Sequence, residues 1–338
     1  MRLPERLEYL VFAGGGMRGL SYAGSLEQLA AEGHDFWGAN RTLKGVAGSS
    51  IGALFAVCLA ARVSLAYLLM EVRRFNMRSI LAIDPYRLFY ERGLDPGDKL
   101  RHFVDQLLQR AVGNAGITLH ELHLVSRLHL IIPITDLEEG KTLYLDHLNA
   151  PHMAVAEALV ISMTLPLIFT PKTYNGHLCV DGGLMDNFPM HLFPAETTLG
   201  IRSCWTHECN LQSLSQYISR VVHCALASCE HHQWRKMSKE HQDHTISVDV
   251  GNIQTVEFHL TPDQVEQLLE HGRQAVRQIC QAPPLEALLH TVVHHVASRA
   301  KLLSPPRQGA QQSSLRMREL HQHHHQHEEQ QEHQAAEE

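Results

Sequence analysis

Apolar residues in this chain gather into short runs, several of which stop abruptly at clusters of small residues. Residues 7–13 form one such run and end at Gly14-Gly15-Gly16, and residues 43–47 form another and end at Gly48-Ser49-Ser50. A third, residues 128–135, is nearly continuous and bounded by polar positions. Runs of four to eight apolar residues between turn signals predict buried strands. Residues 177–181, 197–201 and 245–250 predict three more, while residues 21–32, 99–111 and 213–229 have helix length. Strands alternating with helices predict an α/β fold, a mostly parallel central sheet with helices on both faces.

Residues 51–70 hold a single charge, Arg62, and are long enough to cross a bilayer. The preferred reading is a helix buried in a globular core, because Arg62 and Ser64 interrupt the run. Residues 261–280 predict a last helix, with Thr261 as N-cap and Asp263 in the first turn. Pro283-Pro284 then breaks the chain. The expected organisation is a main domain over residues 7–280, a helical extension over 281–302 and a Gln/Glu/His-rich tail over 303–338. Such a tail cannot bury enough apolar surface to fold alone and is expected to be disordered.

Composition narrows the partners. Of 338 residues, 44% are hydrophobic and 19% charged, which allows a sizeable core. The formal charge is -7, and residues 303–338 carry three Arg against six Glu, so the body is close to neutral. Without clustered Lys and Arg, nucleic acid is not an expected partner. Seven cysteines are too few and too odd in number for a disulfide scaffold, and are expected to be reduced thiols. The first six residues lack the apolar stretch of a signal peptide. The expectation is a cytoplasmic protein, with peripheral association with membranes or lipid droplets left open.

Three segments carry candidate chemistry. Gly14-Gly15-Gly16-Met17-Arg18-Gly19 lies between a predicted strand and a predicted helix. Glycines let backbone N–H groups face an anion, and the helix start adds partial positive charge, which suits an oxyanion hole. Gly14, Gly16 and Gly19 also fit the dinucleotide pattern G-x-G-x-x-G, so this segment alone leaves a nucleotide-binding oxidoreductase open. Gly48-Ser49-Ser50-Ile51-Gly52 is G-x-S-x-G between a strand and an apolar helix, the setting of a nucleophile elbow. Gly48 and Gly52 keep the turn around Ser50 free of clashes. Val180-Asp181-Gly182-Gly183 closes a short strand about 130 residues further on. A serine needs a neighbouring base to accept its proton, and Asp181 on a glycine-flanked turn is a candidate. An ordinary Asp-Gly turn is the competing reading of that segment.

Taken together, these segments resemble the patatin-like phospholipase family, which uses a Ser-Asp dyad. The likeness runs through residues 10–19, 48–52 and 181–183, with Ala158-Leu159, Ser162-Met163, Leu165-Pro166 and Phe169 before the aspartate and Asp186-Asn187-Phe188-Pro189 after it. It covers roughly residues 7–280. The resemblance implies a three-layer fold and a calcium-independent hydrolase of acyl ester bonds in phospholipids or lysophospholipids, with acylglycerols also open. It implies Ser50 as nucleophile, Asp181 as base, and an oxyanion hole from Gly14, Gly15, Gly16 and Arg18. In it, Gly15 and Gly16 donate and Arg18 steadies the loop or a lipid phosphate. An exposed arginine at a helix start is the competing reading of Arg18. Ser162 and Asn187 read as structural. The resemblance implies no cofactor and no metal. It leaves the region beyond Cys280 unexplained, so a protein partner or activator for that extension is open.

The 26 histidines raise a Ser-His-Asp esterase as an alternative, and the cluster at His321, His323, His324, His325 and His327 suggests incidental metal affinity. Cys204, His207, Cys209, Cys224, Cys229, His231 and His232 fit no regular zinc spacing. Lipid substrates imply contact with a membrane or micelle. The apolar segment 75–93, with Ile80, Leu81, Ile83, Tyr86, Leu88, Phe89 and Tyr90, is a candidate lid or docking surface, with core packing as its competitor.

Overall fold

The computed structural model describes residues 2–38, 41–76, 79, 81–204, 214–251, 253 and 260–281. The expected tail, and all of the expected extension beyond Gln281, lie outside the described residues. The strands are β1 Tyr9–Phe12, β2 Gly45–Gly48, β3 Gly93–Asp95, β4 His129–Asp136, β5 Lys141–Leu145, β6 Leu167–Phe169, β7 Lys172–Tyr174, β8 His177–Asp181, β9 Thr198–Cys204 and β10 Thr245–Asp249. The helices are α1 Ser21–Ala31, α2 Ile51–Ala60, α3 Leu65–Arg74, α4 Arg87–Glu91, α5 Asp98–Val112, α6 Leu119–Ser126, α7 Val155–Ser162, α8 Leu214–Lys236, α9 Lys239–Asp243 and α10 Pro262–Cys280.

The main sheet runs in the order β10-β9-β1-β2-β4-β8-β7, with β5 also paired to β4. From β10 to β4 every pairing is parallel. Beyond β4 the sheet turns antiparallel, through β8, β7 and β5. The expectation of a mostly parallel sheet therefore holds for one half, and the other half is an antiparallel edge. That edge matters, because β8 carries Asp181 and pairs it with Ile134.

Alternation along the central strands explains the layers. Leu10 and Phe12 of β1, Val46 of β2 and Leu130 and Ile132 of β4 enter one core, packed by α1, α2, α7 and α10. Val11, Ala47 and Ile131, one residue out of phase, enter a second core with Phe188, Met190 and Phe193, against which Trp234 and Met237 pack. Strands buried on both faces read as continuous apolar runs, and these do. The chain is a mixed α/β protein with a central sheet flanked by helices.

The run at residues 51–70 is not one helix. All ten residues of α2 are buried, and burying each of its larger side chains contributes about 1.5–3 kcal/mol. The helix stops at Ala61, Arg62 takes a left-handed backbone (φ 56°), and Ser64 caps α3 by accepting the Tyr67 N–H. The two interruptions in the pattern thus become a turn and an N-cap. Among the described residues no helix is long and apolar enough to cross a membrane. The expected cap of α10 is present as a capping box, Thr261 with Gln264.

Candidate active site

The site forms where β1, β2 and β8 end. After β2 the chain turns sharply into α2, and Ser50 sits at the turn with φ 55°, a region a non-glycine residue rarely adopts. Close approach explains the flanking glycines. A Cβ on Gly48 would lie 2.4 Å from the Gly52 carbonyl carbon, and one on Gly52 would lie 2.5 Å from the Phe12 carbonyl oxygen. The backbone N–H of Ser50 donates to the Ser162 Oγ at 3.1 Å, tying the turn to the end of α7. The Ser49 hydroxyl donates to the Asp186 carbonyl.

Asp181, at the end of β8, is 1% exposed. Its backbone is held on both sides: its N–H donates to the Thr164 carbonyl at 2.8 Å, and its carbonyl accepts the Thr135 hydroxyl at 2.9 Å. Its Oδ1 accepts the Gly183 N–H at 2.7 Å, while Oδ2 is buried and has no well-formed hydrogen bond. Burial pushes the carboxyl up to about 7, opposed by the adjacent Ser50 side chain and the Gly183 N–H. A carboxyl poised near neutrality beside a strained serine is a competent proton acceptor.

The glycine loop completes the cleft. Gly16 needs its positive φ of 55°, and the chain enters a short 3-10 turn, Gly16–Leu20, before α1. Gly14 is clamped to Asn187: its N–H donates to the Asn187 carbonyl at 3.0 Å, and its carbonyl accepts the Asn187 Nδ2 at 3.2 Å. With the Gly14 N–H so engaged, the N–H groups of Gly15 and Gly16 are the loop's candidate donors to an oxyanion. Arg18 is 5% exposed, not the exposed helix-start residue of the competing reading, and its Nε donates to the Gly15 carbonyl at 3.2 Å. Burial pulls the guanidinium below its usual range, and the Glu230 carboxylate partly offsets this.

Ser50, Asp181, Gly14, Gly15, Gly16 and Arg18 thus line one narrow cleft, whose lining is completed in part by Leu226, Ala227 and Glu230 of α8. Gly48 and Gly52 support it from behind. Among the described residues no histidine lines this cleft. Ser162, expected to be structural, supplies the hydroxyl that holds the elbow. Sequence reasoning missed Glu230. Glu230 accepts from Asn187 Nδ2 and Arg202 Nη1, both at 3.3 Å, and nothing in the pattern of a long polar helix marks it. A second, open cavity is lined mainly by apolar side chains, including Ile51, Leu54, Phe55, Leu68, Phe75 and Phe103.

Among the described residues one group has metal-ligand spacing, Asp136, Glu138 and His177. Its members are already engaged: His177 Nδ1 pairs with Asp136 Oδ2 at 2.8 Å, and Glu138 Oε2 accepts the Leu178 N–H at 2.7 Å. In the cysteine and histidine group, His207 and Cys209 lie outside the described residues, and Cys204, Cys224 and Cys229 are free.

The family model for "Patatin-like phospholipase" matches residues 10–194, from β1 through the elbow and Asp181. The chain belongs to the patatin-like phospholipase family. It is 27% identical over 290 residues to an uncharacterized protein, YqhO, of Bacillus subtilis, covering 78% of this chain and 94% of that one. It is 24% identical over 195 residues to a probable lipid hydrolase, 463L, of Invertebrate iridescent virus 6, covering 56% of this chain and 64% of that one. Its fold resembles the crystal structure of VipD from Legionella pneumophila, with a TM-score of 0.53 at 16% identity, over 81% of this chain and 66% of VipD. Family membership makes the chain a lipid acyl hydrolase by class and removes the dinucleotide reading of the glycine loop.

Proposed function

We propose that the protein is a serine hydrolase of phospholipid or lysophospholipid acyl esters, with Ser50 as nucleophile and Asp181 as the only side-chain base. The observation that carries this reading is the pairing of Ser50 with a fully buried Asp181 inside the glycine-loop cleft. Asp181 removes the hydroxyl proton as Ser50 Oγ attacks the ester carbonyl carbon. The negative charge on the tetrahedral oxygen faces the Gly15 and Gly16 N–H groups, which are held in place by Arg18 and Asn187. Collapse breaks the ester C–O bond, and the leaving alcohol takes the proton from Asp181. Asp181 then deprotonates a water that attacks the acyl-serine carbonyl; as the bond from Ser50 Oγ to the acyl carbon breaks, Asp181 returns the proton to Oγ and the fatty acid leaves.

The apolar cavity supports a lipid substrate: Ile51 lines it, directly after Ser50, and its apolar walls suit an acyl chain. No step in this scheme uses calcium. The substrate implies peripheral membrane contact. Residues 7–280 are assigned to the catalytic domain, with the C-terminal extension open to a protein partner or activator. The test is hydrolysis of a phospholipid and of a short-chain ester, without calcium, by wild type, Ser50→Ala and Asp181→Asn. Loss in both folded variants is expected; activity that survives Ser50→Ala defeats the mechanism.

A further inference from the structure

The segment between α3 and β3 turns its apolar side outward. Ile83 is 49% exposed, Tyr86 78%, Phe89 82% and Tyr90 85%. Tyr86, Phe89 and Tyr90 stand at i, i+3 and i+4 and so share one face of the turn that includes α4. Arg87, Leu88 and Glu91, on the other side, are half-buried. A surface helix of a globular domain normally shows the reverse pattern. Core packing, the competing reading of this segment, holds only for Leu81, which is buried, and for Phe75, which packs partly against the core. Ile80 lies outside the described residues.

The exposed face is held firmly. The Asp84 N–H donates to the Leu94 carbonyl at 2.8 Å, and Lys99 Nζ to the Leu81 carbonyl at 3.1 Å. Beneath the rings, Arg87 pairs with Glu91 at 2.6 Å, and Thr170 Oγ1 donates to Glu91 Oε2 at 3.4 Å. A backbone anchored in this way presents the three rings together, so little chain order remains to be imposed on binding an apolar partner.

The face is also linked through the chain to the candidate active site. Three residues after Tyr90, Gly93 pairs with Leu167 in the small β3–β6 sheet. Leu167 is 41% exposed and has a φ of 68°, a backbone that a leucine rarely adopts. Two residues before it, Leu165 lines the cleft with Ser50 and Asp181. Along the chain, the short β3–β6 sheet thus joins the exposed rings to the segment that lines the cleft.

Charge identifies the occupant. Residues 83–92 carry Asp84, Arg87, Glu91 and Arg92, two of each sign, so the segment has no net charge to attract an anionic surface. Aromatic rings with hydroxyl tips suit the headgroup level of a bilayer. We propose that Ile83, Tyr86, Phe89 and Tyr90, with Leu167, dock the protein on a zwitterionic phospholipid surface and set the Ser50 cleft against it. This rests on the lipid hydrolase reading above, because the cleft's substrate is what places a bilayer rather than a protein at this face.

The test uses the full chain with Ser50→Ala, so that the vesicles stay intact, and measures partitioning onto phosphatidylcholine vesicles. Adding Phe89→Ser and Tyr90→Ser changes two exposed residues and is expected to leave the thermal unfolding midpoint unchanged. Partitioning is expected to fall about tenfold or more, since two rings no longer leave water, and to be insensitive to added salt. In an otherwise wild-type chain, the same two changes are expected to leave hydrolysis of a water-soluble short-chain ester unchanged. Unaltered partitioning in the double variant overturns the proposal. So does a parent chain that fails to bind, which would leave a protein as the occupant, or binding that appears only on anionic vesicles and vanishes in salt. The binding arm decides the docking surface alone, and the ester arm decides the hydrolase reading, so either can fail without the other.

Discussion

Replacing Asp181 with Asn should make the protein more stable at alkaline pH while abolishing its activity. The carboxyl is 1% exposed and its pKa is raised from 3.8 to about 7 by burial. At about 1.4 kcal/mol per pH unit, that rise corresponds to a folding penalty of about 4 kcal/mol once the group is ionised. The sign follows from proton binding. Between pH 4 and 7 the folded state keeps a proton that the unfolded chain has released, so this group's contribution is fully present below about pH 4 and is lost as pH rises toward 7. Asparagine is neutral throughout and retains an oxygen for the Gly183 N–H. The difference in unfolding midpoint between Asp181→Asn and wild type should be near zero at pH 4 and grow to on the order of 10 °C above pH 7. Other titrating groups are common to both proteins and cancel in the difference. In wild type, kcat/KM should rise with pH and level off near 7, as the base loses its proton. Thermal unfolding followed by circular dichroism, paired with ester hydrolysis across the same pH range, measures both. A midpoint difference that does not change with pH would refute the argument from burial, and a pH-independent kcat/KM would remove Asp181 as the base.

Ser162→Ala should leave the buried Ser50 N–H without its acceptor, costing about 1–3 kcal/mol and lowering kcat with little change in KM, as denaturation and steady-state kinetics would show. Gly52→Ala places a Cβ 2.5 Å from the Phe12 carbonyl oxygen and 2.6 Å from that of Ala13, so a loss of about 3 kcal/mol or more is expected; its soluble yield should collapse while Ser50→Ala stays folded. Arg18→Met keeps the buried volume but removes the bond to the Gly15 carbonyl, so kcat should fall about tenfold without a matching fall in the unfolding midpoint. Tyr144→Phe removes the hydroxyl that donates to Asp186 Oδ2 at 2.8 Å. Burial already raises the pKa of Asp186, so the variant should lose more stability as pH rises and the carboxylate ionises than at acid pH, where it is protonated, and unfolding across a pH series would show the trend.

Local pattern was enough to place the parts of the candidate site. Strand runs ending at small residues, the G-x-S-x-G turn and the Asp-Gly-Gly turn each depend on backbone conformations that a few neighbouring residues dictate by steric exclusion, and β8 and the start of α10 fall where those signals put them. The shortest strands were not legible: β3, β5, β6 and β7 have three to five residues and no run that separates them from loops. Nor was the division of residues 51–70, because apolar composition is the same on both sides of the turn at Arg62. What only the tertiary structure decided are the quantities that depend on residues far apart in the chain. The antiparallel edge brings Asp181 to Ser50, and the surrounding core strips water from its carboxyl and raises its pKa. Arg18 is buried because α8 brings Glu230 over the glycine loop, and the rings at 86–90 face water because β3 and β6 hold their other side against the fold. Sterics act between neighbours and can be read from a motif, whereas desolvation and exposure are set by whatever else the fold places within a few ångströms.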